Sequence, residues 1–202
     1  MATPDGAGRT NQKLRTRTAI LTAARELIET GGDVTMPAIA RAALVSEATA
    51  YRYFADLPSL ISEALAGAWP PPDQALAPVA DSTDPVERIA FACDFLLRGI
   101  LARQGSVRAM IAATVTRPES VAARPGIRFG LIDQALRPLE DTLGASDPDA
   151  FAQLKRGLAV VVSAEALFVL TDLCRLDPEE AVASAVGTAV ALTRTALAPT
   201  AT

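Results

Sequence analysis

The chain has 202 residues, 50% of them hydrophobic and only 4% aromatic, with a formal charge of −4; that size allows a small domain beside a larger one, and the acidic balance excludes a protein that coats nucleic acid or membrane through bulk charge. Histidine is absent from the sequence, which excludes Ser-His-Asp and Cys-His catalysis, H-E-x-x-H zinc sites and C2H2 fingers. Ala and Leu abound while alternating β-branched runs are missing, so the predicted fold class is all-α.

The first residues, Met1 to Gly8, are polar and lack the apolar core of a secretory leader, which predicts a cytoplasmic protein. Residues 1–60 hold seven Lys/Arg against six Asp/Glu, and the basic part is local: Arg9, Lys13, Arg15 and Arg17 fall in a stretch free of acids. Residues 1–10 read as a disordered arm, and Lys13 and Arg15 as phosphate contacts, because cations that bind phosphate release condensed counterions; a solvated tail is the bland alternative.

From Thr16 to Glu29, Ile20, Ala23, Ala24, Leu27 and Ile28 recur at helical spacing, and Gly31-Gly32 ends that helix. Thr35 caps a short second helix with Pro37 in its first turn, Ser46 caps a third from Glu47 to Phe54, and Asp56 caps a fourth that runs to Ala68. Trp69-Pro70-Pro71-Pro72 stops the fourth, and the stretch from Trp69 through Pro85, which carries five prolines, reads as an unpacked connector. Beyond it, helices are predicted at Pro85–Arg103, Ser106–Thr116, Gly126–Leu143, Pro148–Leu176 and Pro178–Leu197, about nine in all, separated by Gly105, Pro118, Pro125, Gly144 and Asp177-Pro178. The domain boundaries are an arm over 1–10, a helix-turn-helix domain over 11–56, a linking helix over 57–69, a connector over 70–84 and a helical domain over 85–202.

The informative stretch is TMPAIARAALVSEATAYRYFADLPSL, Thr35 to Leu60. Two short helices flank the turn Leu44-Val45-Ser46, and the helix at Thr16–Glu29 supplies the third member needed to pack them. The second of the pair would enter a DNA major groove. Ser46 and Thr49 offer hydroxyls and helix-end N–H groups, Tyr51 and Tyr53 carry phenols on rigid stems, and Arg52 can reach a phosphate or a guanine edge. Ala48 permits close approach or contact with a thymine methyl, Glu47 is useful only if it accepts from cytosine, and Phe54 faces the core. A helical hairpin whose tyrosines merely pack has the same spacing.

The whole stretch from Thr16 to Leu65 resembles the TetR family of transcriptional regulators: a helix ending in Gly, Thr followed by Ile-Ala, then Val-Ser, Thr-x-Tyr-x-Tyr-Phe and a hydrophobic helix. That resemblance implies a DNA-binding domain of helices one to three, a fourth helix linking it to a ligand-sensing and dimerising C-terminal domain, and operator contacts at Thr35, Ser46, Thr49, Tyr51 and Tyr53. This chain has two departures: Leu44 stands where the family usually has Gly, and Leu57-Pro58 stands where it tends to have Lys-Glu. If the turn keeps a left-handed residue, Leu44 costs roughly 1–2 kcal/mol there.

The last two predicted helices are apolar on more than one face, with Leu154, Leu158, Val161, Leu167 and Phe168 in one and Val182, Val186, Ala189, Val190 and Leu197 in the other. They need partners on two sides, as in a four-helix interface between two copies of the chain, so a homodimer is expected; a monomer core is the alternative. For a small apolar or amphipathic ligand the candidate wall is Phe91, Phe95, Met110, Phe129 and Phe168, with Asp94, Arg98 and Glu165 as polar neighbours; such residues are more often core. Cys93 and Cys174 lie far apart amid apolar residues and read as buried free thiols, with no cofactor or metal expected. No apolar stretch has the length of a membrane span. Double-stranded operator DNA, a second copy and a small ligand are thus the expected partners of a regulator. An enzyme using Asp94, Glu165 or Asp172 lacks a telling carboxylate pair, and a helical adaptor that does not bind DNA is the remaining alternative.

Overall fold

A computed structural model of the chain describes residues 5–32, 34–66, 69–116 and 126–198. Among these there are twelve α-helices and no strand, so the fold is all-α as the composition predicts. Pro118 and Pro125, read above as helix separators, and the predicted helix end at Ala68 lie outside the described residues. The chain divides into two compact units, one of Met1–Ala68 with Arg103–Pro125 and one of Trp69–Ala102 with Gly126–Thr202.

In the first unit, α1 (Asp5–Glu29), α2 (Met36–Ala42), α3 (Glu47–Tyr53), α4 (Leu57–Ala64) and α7 (Gln104–Thr116) surround one apolar core. Ile20, Ala24 and Ile28 of α1, Ile39 and Ala40 of α2, Ala50 of α3, Phe54 just beyond it, and Leu60 and Ile61 of α4 are all buried in it. Each short helix starts on a side-chain cap, which satisfies an N–H that the helix itself cannot: Thr35 accepts from Ala38 N at 3.3 Å, Ser46 from Thr49 N at 3.2 Å and Asp56 from Ser59 N at 2.8 Å. Leu57-Pro58 opens α4, where the missing proline N–H costs nothing. The region 5–10, expected as a disordered arm, is instead the first part of α1. Residues Thr10 to Arg15 are all exposed and give no apolar period to read. Met110, expected in a ligand wall of the C-terminal domain, is 5% exposed and belongs to this core, carried there by α7.

In the second unit, α6 (Pro85–Leu101) packs along α12 (Pro178–Leu197), with α8 (Ile127–Ala135) and α10 (Pro148–Val161) against them. The predicted connector is partly structured. Pro72 starts a short helix α5 (Pro72–Ala75), Pro78 lies in the first turn of a 3-10 turn (Ala77–Val79), and Ala75 and Leu76 are buried. Prolines tolerated at first-turn positions thus begin elements here where they were expected to break them. The predicted Gly126–Leu143 helix ends at Ala135 and resumes as a 3-10 turn at Arg137–Leu139 and as α9 (Leu143–Ser146). The predicted Pro148–Leu176 helix breaks at Val162-Ser163 and continues as α11 (Ala164–Phe168) and a π turn at Val169–Leu173. The β-branched run Val160-Val161-Val162 is a poor helix former, and Ser163 re-caps the chain by accepting from Ala166 N at 3.0 Å.

Cys93 is fully buried whereas Cys174, expected buried, is exposed beyond the π turn. Burial first, and then the charge of Asp94, push the Cys93 thiol up to about 12. Only Cys174 is therefore expected to react with a thiol-specific dye in the native protein, with Cys93 labelled on denaturation. A thiol raised from 9.0 to about 12 on folding also adds stability below pH 9, and that contribution is lost as the pH climbs through that range. An alkaline melting series in which Cys93→Ala flattens the pH dependence checks the second statement.

Candidate nucleic-acid interface

The turn between α2 and α3 is built by hydrogen bonds. Val45 N donates to Ala40 O at 2.9 Å and Leu44 N to Arg41 O at 3.1 Å, the paired bonds of a Schellman helix end, and Leu44 takes the left-handed position with φ 55°. Leu44 keeps the left-handed geometry that glycine favours, and its side chain is 94% exposed, so no burial offsets the strain. Leu44→Gly is expected to raise the stability of this unit by about 0.5–1 kcal/mol, the left-handed penalty less the entropy glycine restores to the unfolded chain. A higher thermal midpoint with unchanged helix content is the readout; a lower one contradicts it.

With the turn fixed, α3 presents two faces. Ala50 and Phe54 point into the core, and Tyr53 is half-buried against it. Glu47, Ala48, Tyr51 and Arg52 are exposed; the pairs 47/51 and 48/52, four apart, and 48/51, three apart, make them neighbours in a single stripe. Thr49 is half-buried beside it, with its hydroxyl 2.8 Å from that of Ser46. Arg52 lies 5.7 Å from the ring centre of Tyr53, a contact that orients the guanidinium on the edge of the stripe. The hydroxyls of Ser46 and Thr35 both serve as helix caps, so each is oriented by its own backbone.

Lys13 and Arg15 are exposed on α1. Two residues apart on a helix, they project about 200° from each other and do not share a face. Arg41 is also exposed, on the outer side of α2 opposite Ile39 and Ala40, and was missed by the sequence reading. The signal was present: with Ile39 and Ala40 facing inward, helical periodicity puts Arg41 outward. Lys13, Arg15 and Arg41 make no ion pair among the described residues.

The expected ligand residues lie on α6, α7, α8 and α11. Phe91 and Phe95 are half-buried on α6, and the Phe95 ring meets that of Trp69 edge-on at 6.0 Å. Trp69 in turn lies over Gly99, where a Cβ would come within 2.2 Å of the indole. Asp94 and Arg98 pair with each other, and Arg98 reaches Glu179 at 2.9 Å. Glu165 pairs with Arg128 at 3.0 Å and Phe168 is half-buried, but Phe129 is exposed and Met110 belongs to the first unit. A groove of about 470 Å³ on the second unit is lined by Pro72, Asp73, Gly130, Asp133, Gln134, Arg137 and Glu140, none of them an expected ligand residue. Among the described residues no cluster of potential metal ligands occurs, and no helix is long and apolar enough to cross a membrane.

Residues 20–63 match the family model described as bacterial regulatory proteins, tetR family. The match begins in α1, runs through α2 and α3 and ends in the last turn of α4. No curated protein matches the chain.

Proposed function

We propose that this chain, a DNA-binding transcriptional regulator of the TetR family, is a homodimeric repressor that binds a near-palindromic operator and is released from it by a small apolar or amphipathic molecule. The observation that carries the DNA-reading role is the exposed stripe Glu47, Ala48, Tyr51 and Arg52 on a helix whose other face is anchored in a core. A short helix with small residues near its start and a phenol and guanidinium further along suits entry into a major groove. Tyr51 and Arg52 are assigned to base or phosphate contact, Thr49 and Ser46 to the helix start, Thr35 to the flanking backbone, and one of Lys13 and Arg15, which lie on different faces of α1, to a phosphate beyond it. Tyr53, half-buried, offers only its edge.

Homodimerisation is supported by the second unit. Leu192 and Leu197 of α12, Val160 of α10 and Val169 and Leu173 of the π turn are exposed apolar residues on the last helical elements. Two recognition helices must then reach major grooves about 34–36 Å apart. The half-buried aromatics Phe91, Phe95 and Phe168 support an apolar ligand in the second unit, and such a ligand acts only through different affinities for the two conformations.

Selection of duplexes from a random pool by the purified protein, at low and moderate salt, tests the reading. Enrichment of a palindrome whose affinity falls steeply with salt is expected. Recovery of weakly held, unrelated sequences only would overturn it.

A further inference from the structure

We propose that Arg17 is a positioning residue for DNA recognition, holding the far end of the recognition helix α3 between α1 and α4, and is not itself a phosphate ligand. By sequence Arg17 belongs to the basic run with Lys13 and Arg15, yet its guanidinium is engaged inside the unit. Its two terminal nitrogens donate to the two carboxylate oxygens of Glu63 on α4, the second at 2.5 Å, and the same guanidinium lies 4.9 Å from the ring centre of Phe54. Phe54 is the residue that ends α3, with its N–H donating to Ala50 O at 3.0 Å. Two turns further along α1, Arg25 donates to Ala64 O at 3.0 Å, so the last turn of α4 is held to α1 at two points.

These contacts matter because α3 is only seven residues long and buries few side chains. Its start is set by the exposed Ser46 cap and its end by Phe54, so displacement of Phe54 tilts the exposed stripe. A fork that bonds both oxygens of a carboxylate fixes direction as well as distance, and lysine cannot reproduce it or stack in the same way. A phosphate would have to displace Glu63, whose own charge repels it. The side chains of Arg17 and Glu63 are 41% and 36% exposed, and ion pairs so open to water add little to global stability. Loss of positioning is therefore separable from unfolding.

The inference rests on the DNA-binding reading, and two measurements on the full chain keep the two apart. The first compares wild type, Glu63→Gln, Arg17→Lys and the reversed pair Arg17→Glu/Glu63→Arg on the palindrome that wild type selects and on an unrelated duplex. Both single variants are expected to lose about tenfold in affinity for the palindrome, with the unrelated duplex bound by Glu63→Gln as by wild type and the reversed pair partly restored. If Glu63→Gln binds both duplexes more tightly, Arg17 is a phosphate ligand released from its partner and the inference is overturned. The second is amide hydrogen exchange without DNA. Faster exchange at 47–54 in Glu63→Gln, with the second unit unchanged, is expected; unchanged exchange at 47–54 overturns the inference even if wild type selects no palindrome, an outcome that separately ends the DNA-binding reading.

Discussion

Gly187→Arg is expected to turn a dimer into monomers that remain folded and to weaken binding to the operator by on the order of 10²- to 10⁴-fold, the range gained when two sites engage together. Gly187 lies near the middle of α12, on an exposed face with Ala183, Ser184, Thr188 and Ala191, while Ala181, Val182, Ala185 and Ala189 pack inward. A Cβ built at Gly187 meets no atom within 4 Å, so a larger side chain has room in the single chain. Glycine is also a poor residue inside a helix, by about 1 kcal/mol against alanine, and arginine restores most of that. The protomer therefore gains from the substitution. If the proposed dimer packs α12 against its copy through this face, the same side chain meets a closely approaching backbone and buries an unpaired charge. Sedimentation should show a monomer whose helix content matches wild type and whose melting no longer depends on protein concentration. A variant that still sediments as a dimer would place the interface on another face.

Arg88→Ala is expected to destabilise the second unit by about 3 kcal/mol or more, a loss in the upper range for single substitutions. Arg88 is 3% exposed, and every partner recorded for it is a backbone carbonyl. Its terminal nitrogens donate to Val79 O and Gln134 O, each at 2.7 Å, and its Nε to Ala135 O at 3.2 Å. Ala80 O and Ser82 O complete the set. The guanidinium thus caps the end of α8 and the end of the 3-10 turn at Ala77–Val79 together. Carbonyls at helix ends carry the negative pole of the helix dipole, so they balance the buried charge without a carboxylate. Alanine leaves these acceptors short of donors in a place with little water. Lysine keeps the charge but lacks the fork and should recover only part of the loss. Chemical denaturation with a probe in the second unit measures both; an unfolding free energy within about 0.5 kcal/mol of wild type for Arg88→Ala would contradict the assignment.

The helix-turn-helix was legible because its signals are local. Ser46 and Asp56 cap helices wherever they precede an apolar period, and Thr-x-Tyr-x-Tyr-Phe fixes which side of α3 faces inward. Leu44 was legible as a conflict between residue and turn, and the turn kept its geometry. The extension of α1 before Thr16 was not legible, since the exposed residues 10–15 carry no apolar period. The helix start at Pro72 and the 3-10 turn that holds Pro78 were hidden because a proline reads as a break until its place in the first turn is known. Three features depended on contacts distant in sequence: Met110 in the first core, Arg17 bonded to Glu63, and Arg88 over Ala135. Spacing within one helix carries no information about them. Met110 was expected beside a ligand for the same reason, since an apolar residue at helical spacing looks alike whether it lines a cavity or fills a core.

The claim that α3 reads DNA through its exposed stripe is tested most directly by measuring the affinity of Arg52→Ala for the selected palindrome and for the same duplex changed one base pair at a time. A loss of about 1–3 kcal/mol per half-site is expected, together with relaxed preference at one position in each. Affinity and base preference both equal to wild type would contradict it.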